Sequence, residues 1–471
     1  MKKMRGAMRL VALVLVVTFI SMAGFMTYTV YTQGSRWLVA GSNPRLQNAR
    51  KNVSMGIITD RTGLVLANND EQGVRQYAKN KQVRRALSQT VGDQMSMSGT
   101  GVETFHAGTL LGLSGSVIDR TWQYLTGKNY KGANLQLTAS AELTTYLSEQ
   151  FPSGYEGSIC VLNYKTGEIL AMVSKPDYDP EQLATRQASN DVQDTAYLNR
   201  CLQGQYAPGS VFKVITLLSA LENLPGIDQR TFTCEGSRAI GEGKVTCFGG
   251  EVHGNMTLPQ AFAKSCNITF AALALELGAD RLSATAKRLG FNENFSFRDI
   301  VLYQSSIPES IEDVSELAWT GDGQGRLLVT PMHMAMIAGA IAGGGIMREP
   351  QLIAQVSGVG GIPHLRAPLG PGTRIMTTDM ATLISRYMQR TVESGTATSA
   401  RIKGYTVCGK TGTAETSNDK STRDNAWFIG FIADESAPYA VSVVVEQSGT
   451  GGSVAAPLAA KALKKAITLG L

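Results

Sequence analysis

The sequence predicts an α+β fold built on an antiparallel sheet, and three observations carry that expectation. The run YEGSICVLNY, the turn KTGE and ILAMVS form a hairpin pattern, with β-branched and apolar residues flanking a glycine-containing turn. Near the C-terminus RIKGYTVCGKTGTAE, NAWFIGFIAD and PYAVSVVVEQ read as three more strands. Between the two groups the apolar residues fall at helical spacing, so strands bracket a helical middle, and such segregation favours α+β over alternating βαβ units.

From the N-terminus onward, Lys2, Lys3, Arg5 and Arg9 form a short cationic tail, residues 1–9. Leu10 to Tyr31 then carries no charge, long enough for one membrane-spanning helix, and the flanking cations favour a cytoplasmic N-terminus. A cleaved signal peptide is the rival, with Ser21 to Ala23 as its cleavage site. The apolar run continues through Phe25, Met26 and Tyr28, which favours an uncleaved anchor over residues 10–31. Residues 32–140 read as a mixed, non-catalytic region, with short apolar runs at Met55–Thr59 and Val65–Ala67 around the turn DRTG. Asn134 to Phe151 looks like a strand leading into a helix, and the main unit spans 141–471. Its helices are expected at Pro208–Leu224, with Pro-Gly at the head, and at TLPQAFAKS, NITFAALALELG, TPMHMAMIAGAIA and MATLISRYMQRTVES; AAPLAAKALKKAITLGL closes the chain.

With 471 residues the chain has room for two or three domains, and 43% hydrophobic against 17% charged residues is the balance of an ordinary folded protein. A net charge of +6 is too mild to point to nucleic acid, and no Lys/Arg cluster is interleaved with aromatics, so no nucleic-acid partner is expected. The six cysteines, Cys160, Cys201, Cys234, Cys247, Cys266 and Cys408, contain no C-x-x-C pair, which argues against a common zinc framework. His106, His253, His333 and His364 are dispersed without ligand spacing. No metal and no cofactor are therefore expected. In an oxidising compartment Cys234 and Cys247 could close a local disulfide, while the other four read as isolated apolar thiols.

Gly404 to Thr411 matches the phosphate-loop pattern G-x-x-x-x-G-K-[ST] letter for letter. That loop must follow a strand and open a helix. Here β-favouring Tyr405, Thr406 and Val407 fill the supposed loop, and ETSNDKSTRDN beyond Thr413 is a poor helix. The nucleotide reading fails on context. A different constellation explains Lys410. SVFK (Ser210 to Lys213), SCN (Ser265 to Asn267) and KTGT (Lys410 to Thr413) supply, in order, the S-x-x-K, Ser-x-Asn and K-T-G elements of serine acyl-transfer enzymes. Ser210 and Lys213, three apart on a helix, share one face. Lys213 can act as base if burial and a neighbouring cation, Lys410, pull its pKa down. Ser210 lies at a helix start, where its N–H can meet an oxyanion, and the Thr413 backbone offers the second donor. Thr411, Thr413 and Lys410 can hold a carboxylate, and Gly412 lets a substrate backbone approach the strand edge. Ser265 can relay protons to a leaving amine, and Asn267 can hydrogen-bond a peptide amide.

These motifs, with the surrounding YLNRCLQGQYAPGSVFK, GEGKVTCFGGEVHGNMTLPQAFAKSCNITF, GQGRLLVTP, VESGTAT, and CGKTGTAE followed by NAWFIGFI, resemble the class B penicillin-binding proteins, monofunctional peptidoglycan D,D-transpeptidases. GIITDRTGLVLA is similar to the signature that follows the family's membrane anchor, although Met55 stands where the family has arginine. The resemblance implies a penicillin-binding, β-lactamase-like transpeptidase fold with a helical subdomain. It implies an acyl-enzyme on Ser210 formed from the D-Ala-D-Ala end of a stem peptide and resolved by an amine of a neighbouring stem. β-Lactams would trap Ser210, polymerisation would fall to a partner membrane glycan polymerase, and residues 32–140 are the expected contact. The catalytic unit would lie outside the cytoplasm. Two rivals stand beside this reading. A β-lactamase-type hydrolase would need an E-x-x-L-N element after the Ser-x-Asn motif, and none is present; Leu198-Asn199 precedes Ser210. A non-catalytic β-lactam sensor or division scaffold is at odds with the intact Ser, Lys, Ser, Asn and Lys set.

Overall fold

The computed structural model describes residues 2–39, 53–113, 131–183, 195–358, 363–364, 369–415 and 423–471. A single helix, α1 (Lys2–Val39), leads the chain. Its stretch Met8–Thr29 is long and apolar enough to cross a membrane, and its apolar window is not buried within the protein. Of the described residues, this is the one helix that meets that test. The span expected at Leu10–Tyr31 falls within α1.

The first sheet is small. Strands β1 (Ile58–Thr59), β2 (Val65–Asn69), β3 (Arg75–Tyr77) and β4 (Asn134–Leu137) combine with β11 (Ile353–Ser357) and β12 (Pro363–His364) in the order β12-β11-β4-β1-β2-β3. Thus β11, far along the chain, completes a sheet begun by the N-terminal region. A buried ion pair holds the sheet to the segment behind it. Arg75 Nε lies 2.6 Å from Glu103 Oε1, both side chains almost fully buried, and Tyr77 Oη donates to Glu103 Oε2 at 2.8 Å. Arg75 Nη1 donates to the Gly56 carbonyl at 2.8 Å, so an arginine from β3 serves the backbone beside Met55. Removing one partner of such a pair strands a buried charge. Glu103→Ala is therefore expected to lower the unfolding free energy by about 3–5 kcal/mol, read from denaturant titration; an unchanged midpoint would discount the pair.

The second sheet is the core of the main unit. Helix α2 (Ala141–Gln150) precedes the hairpin β5 (Gly157–Asn163) and β6 (Ile169–Lys175), and β13 (Val407–Ala414), β14 (Asn425–Ile432) and β15 (Tyr439–Val445) add to it. The order is β13-β14-β15-β5-β6, antiparallel throughout. Alternate residues enter two different cores. Ile159, Val161, Phe428, Val441 and Val443 pack with α2 and the C-terminal helix α9 (Ala456–Leu469), through Leu143, Leu147, Ala462 and Leu463. Cys160, Leu162, Trp427, Ile429 and Phe431 face the other side, against α7 (Pro331–Ala342), in a cluster that also takes in α3 (Lys213–Asn223). Both faces being covered, the strands read as continuous apolar runs rather than alternating ones. Each buried Leu, Ile or Phe contributes about 1.5–3 kcal/mol, which makes α7, buried on almost every side, the central pillar.

The helical middle adds α4 (Leu258–Ala263), α5 (Asn267–Arg288), α6 (Val314–Asp322) and α8 (Thr378–Ser394). Two short antiparallel pairs flank it: β7 (Thr231–Cys234) with β10 (Gly254–Thr257), and β8 (Ser237–Ile240) with β9 (Gly243–Thr246). Helix α5 runs past the expected end at Gly278, but that glycine sits at φ 76°, ψ 161°, so it does break the helix into two pieces.

Candidate active site

Ser210 lies in a 3-10 turn, Gly209–Phe212, that runs directly into α3. Two glycines set its position. Gly209 has φ +55°, and a Cβ there would come within 2.6 Å of the Thr413 carbonyl oxygen. A Cβ on Gly412 would meet the Pro208 carbonyl oxygen at 2.8 Å and Trp427 at 3.0 Å. The Ser210 turn is therefore seated directly on β13, and Gly412 makes room for it. Gly412 also lines the cleft beside Ser210. Trp427 Nε1 donates to the Ala207 carbonyl at 3.0 Å, and Gly209 N–H donates to the Gly323 carbonyl at 2.9 Å, fixing both ends of the approach.

Lys213 is fully buried, and its Nζ stands 2.9 Å from Ser210 Oγ. The same nitrogen donates to Asn267 Oδ1 at 2.6 Å and to the Ser265 carbonyl at 2.8 Å. Lys410 Nζ donates to Ser265 Oγ at 2.8 Å and to the Thr411 carbonyl at 2.9 Å. The eight residues singled out in the sequence thus converge, and Lys410 sits in the middle of a strand rather than at a helix start, which removes the phosphate-loop context. Strand β13 is the sheet edge, so one row of its backbone groups is not used by a neighbouring strand. Thr411 and Thr413 line a cleft of about 740 Å³ together with Ser210, Ser265 and Asn267.

Sequence reasoning missed Asp322. Helix α6 is capped by Asp313, whose side chain accepts from Glu316 N–H at 2.7 Å, and stops at Gly323 in the left-handed conformation, φ 92°. That stop holds the Asp322 carboxylate 2.6 Å from Lys213 Nζ. An aspartate between glycines at the end of an amphipathic run, TGDGQG, was the available signal. Lys410 is held well below the ordinary lysine value, by burial first and the Lys213 charge second, with Asp322 opposing. Ser265 carries its own cost. It sits at φ 58°, a left-handed conformation that a non-glycine residue adopts only when its surroundings over-determine it.

The Cys234 and Cys247 sulfurs, whose pairing the sequence left open, are 3.6 Å apart and unbonded. Together with His253 and Cys266 they form a cluster of four potential ligand groups, all donor atoms within 4.8 Å of one another. Sequence spacing had argued against a metal framework because it sees only near neighbours; two antiparallel strand pairs and a helix start bring these residues together.

Residues 157–464 match the model of the penicillin binding protein transpeptidase domain. The chain belongs to the penicillin-binding protein transpeptidase family. Peptidoglycan D,D-transpeptidase PbpA of Mycolicibacterium smegmatis is 30% identical over 406 residues, 80% of this chain and 81% of that one. The penicillin G acyl-enzyme complex of penicillin-binding protein A from M. tuberculosis superposes with a TM-score of 0.79 at 27% identity, covering 88% of this chain and 99% of the other. The D,D-transpeptidase domain of a peptidoglycan glycosyltransferase from Eggerthella lenta gives a TM-score of 0.77 at 29% identity, covering 89% and 99%. The resemblance read from the motifs is thereby borne out, as is the transpeptidase fold, and the chain is a class B penicillin-binding protein of serine type.

Proposed function

We propose that this chain cross-links peptidoglycan by D,D-transpeptidation with Ser210 as the nucleophile, and that β-lactams acylate the same oxygen. The observation that carries the reading is the 2.9 Å contact between Ser210 Oγ and Lys213 Nζ, inside a network that also engages Ser265, Asn267 and Lys410. Lys213, in its amine form, takes the Ser210 proton as Oγ bonds to the penultimate D-Ala carbonyl carbon. Asp322 then faces the ammonium so formed, as a carboxylate does behind a catalytic base. The oxyanion is met by the backbone N–H groups of Ser210 and Thr413. As the C–N bond breaks, Ser265 passes a proton to the departing D-Ala amine, and Lys213 or Lys410 replenishes it. Thr411, Thr413 and Lys410 hold the terminal carboxylate, and Asn267 holds a stem-peptide amide. Deacylation runs the same steps backwards with the acceptor amine in place of D-Ala. Glu415 and Asp424 also line the cleft and give it an anionic patch suited to a cationic acceptor, both carboxyls held above the usual range by partial burial.

The decisive experiment is intact-protein mass against time after adding penicillin, for wild type and Ser210→Ala. A long-lived adduct confined to wild type is the expected result. A transient adduct with rapid loss of drug would make the chain a hydrolase, and no adduct would make it a binding or scaffolding protein.

The reading places residues 1–9 in the cytoplasm, 10–31 in the membrane and the catalytic unit, 141–471, outside. Residues 32–140 are then a non-catalytic platform for a membrane glycan polymerase. Exposed Ile57, Leu64, Val65 and Val74 around β1 to β3 support such a contact. Crosslinks from these positions to a co-expressed polymerase are the expected outcome, and crosslinks confined to 141–471 would count against it.

A further inference from the structure

The cluster beside the acylation network has the geometry of a metal site. Cys234 ends β7, Cys247 follows β9, His253 precedes β10 and Cys266 caps α5. All four side chains are buried. We propose that Cys234, Cys247, His253 and Cys266 bind one zinc ion in a tetrahedral site that fastens the Ser265–Asn267 loop. A zinc tetrahedron with Zn–S of about 2.3 Å and Zn–N of about 2.0–2.1 Å has S···S edges of about 3.8 Å and S···N edges of about 3.6 Å. The structure gives 3.6 Å for Cys234–Cys247, 3.8 Å for Cys247–Cys266 and 3.4 Å for Cys234 Sγ to His253 Nδ1. A disulfide would require about 2.05 Å and would leave His253 and Cys266 without a role.

The surroundings of the four donors fit the same assignment. Gly236 N–H donates to Cys234 Sγ at 3.4 Å and the Thr269 hydroxyl to Cys266 Sγ at 3.3 Å, contacts that suit thiolate charge. His253 turns Nδ1 inward and leaves Nε2 3.6 Å from the Glu251 carboxylate, the partner that orients a ligating imidazole. Zinc binding would release the three thiol protons, leaving a net charge of about −1 on the Cys₃His centre. Four protein donors leave no open position, so the ion would be structural rather than catalytic.

Its position gives it a consequence for the reaction. Cys266 is the middle residue of Ser265-Cys266-Asn267. Asn267 Nδ2 donates to the carbonyl of Thr246, the residue before Cys247, at 2.7 Å. The ion would tie both sides of the loop that holds Ser265 in its left-handed conformation and aims Asn267 at Lys213. This clamp rests on the acyl-transfer reading; zinc content and ligand geometry do not, so the two fail separately.

The test uses full-length protein in detergent. Elemental analysis is expected to find about one zinc per chain in wild type, with loss in Cys247→Ser and Cys266→Ser. Since those variants could fail to fold, cobalt exchanged into wild type provides the second reading: intense visible bands of tetrahedral cobalt with thiolate charge transfer in the near ultraviolet. Chelation is expected to slow penicillin acylation about a hundredfold, with zinc restoring it, the loss typical of a displacement near 1 Å at a reacting centre. Zinc-free protein that takes up cobalt without those bands would overturn the site, as would a Cys234–Cys247 disulfide in a non-reduced peptide map. Acylation indifferent to chelation, with zinc shown to leave, would overturn the clamp.

Discussion

Lys213→Ala is expected to slow acylation of Ser210 by penicillin about 10³-fold at neutral pH, the middle of the range for loss of a general base. Lys213 Nζ is the nitrogen that directly contacts Ser210 Oγ, at 2.9 Å, while Lys410 reaches only Ser265. The substitution has a second effect that must be kept apart from the first. Asp322, buried and 2.6 Å from the lost ammonium, would be stranded, and an uncompensated buried charge costs about 3–5 kcal/mol. Lys213→Ala with Asp322→Asn removes both charges. That double variant should recover most of the stability and none of the rate. Lys213→Arg should not rescue acylation either, because a guanidinium stays protonated and cannot take the serine proton. Acylation kinetics beside denaturant titration separates the two effects, and a single variant that acylates at wild-type rate would refute the assignment.

Most of the sheet was legible because its strands carry unusually strong patterns. The β5–β6 hairpin has a glycine-containing turn between two apolar runs, and β14 and β15 are apolar on both faces. Helix α7 was equally clear, with proline at its first turn and an unbroken apolar body. Ser210, Lys213 and Lys410 could be brought together from the sequence because motif spacing encodes local geometry: three residues along a helix for Ser210 and Lys213, and a strand for Lys410. What escaped was set by contacts between distant segments. Asp322 reaches Lys213 only because Gly323 stops α6 in the left-handed conformation against the Gly209 turn; a Cβ on Gly323 would lie 1.9 Å from the Gly209 carbonyl oxygen. Arg75 serves the backbone beside Met55 from twenty residues away along a different strand, roughly where a linear motif would look for an adjacent arginine. The Cys₃His cluster has the same origin. Its members sit at element ends, and pairing of β7 with β10 and of β8 with β9 is what closes the distance. The close seating of the Ser210 turn on Gly412 is likewise a contact between distant segments.

Lys410→Met is expected to separate stability from activity. Lys410 is fully buried and its pKa is lowered well below 10.5, so between that lowered value and 10.5 the unfolded chain binds more protons than the folded one. Wild-type stability therefore rises with pH across this window, and at lower pH the folded state bears the full cost of a buried ammonium beside Lys213. Methionine keeps the length and apolar stem but removes the titration. The variant should be more stable than wild type at neutral pH by about 1–2 kcal/mol, as when a buried charge gives way to a packed apolar group, and the gain should shrink as pH approaches 10.5. Its acylation should nevertheless fall about 10²-fold. The hydrogen bond to Ser265 Oγ at 2.8 Å is lost, and so is the group expected to meet the substrate carboxylate beside Thr411 and Thr413. A carboxylate arriving next to Lys410 favours its protonated form, so wild-type affinity for penicillin before acylation should weaken as pH climbs above the lowered pKa, while that of the variant stays flat. Unfolding midpoints and pre-acylation binding measured from pH 6 to 10 test both signs. A variant no more stable than wild type at neutral pH, or one whose binding keeps the wild-type pH dependence, would mean that Lys410 is not the buried, depressed amine that the structure places against Ser265.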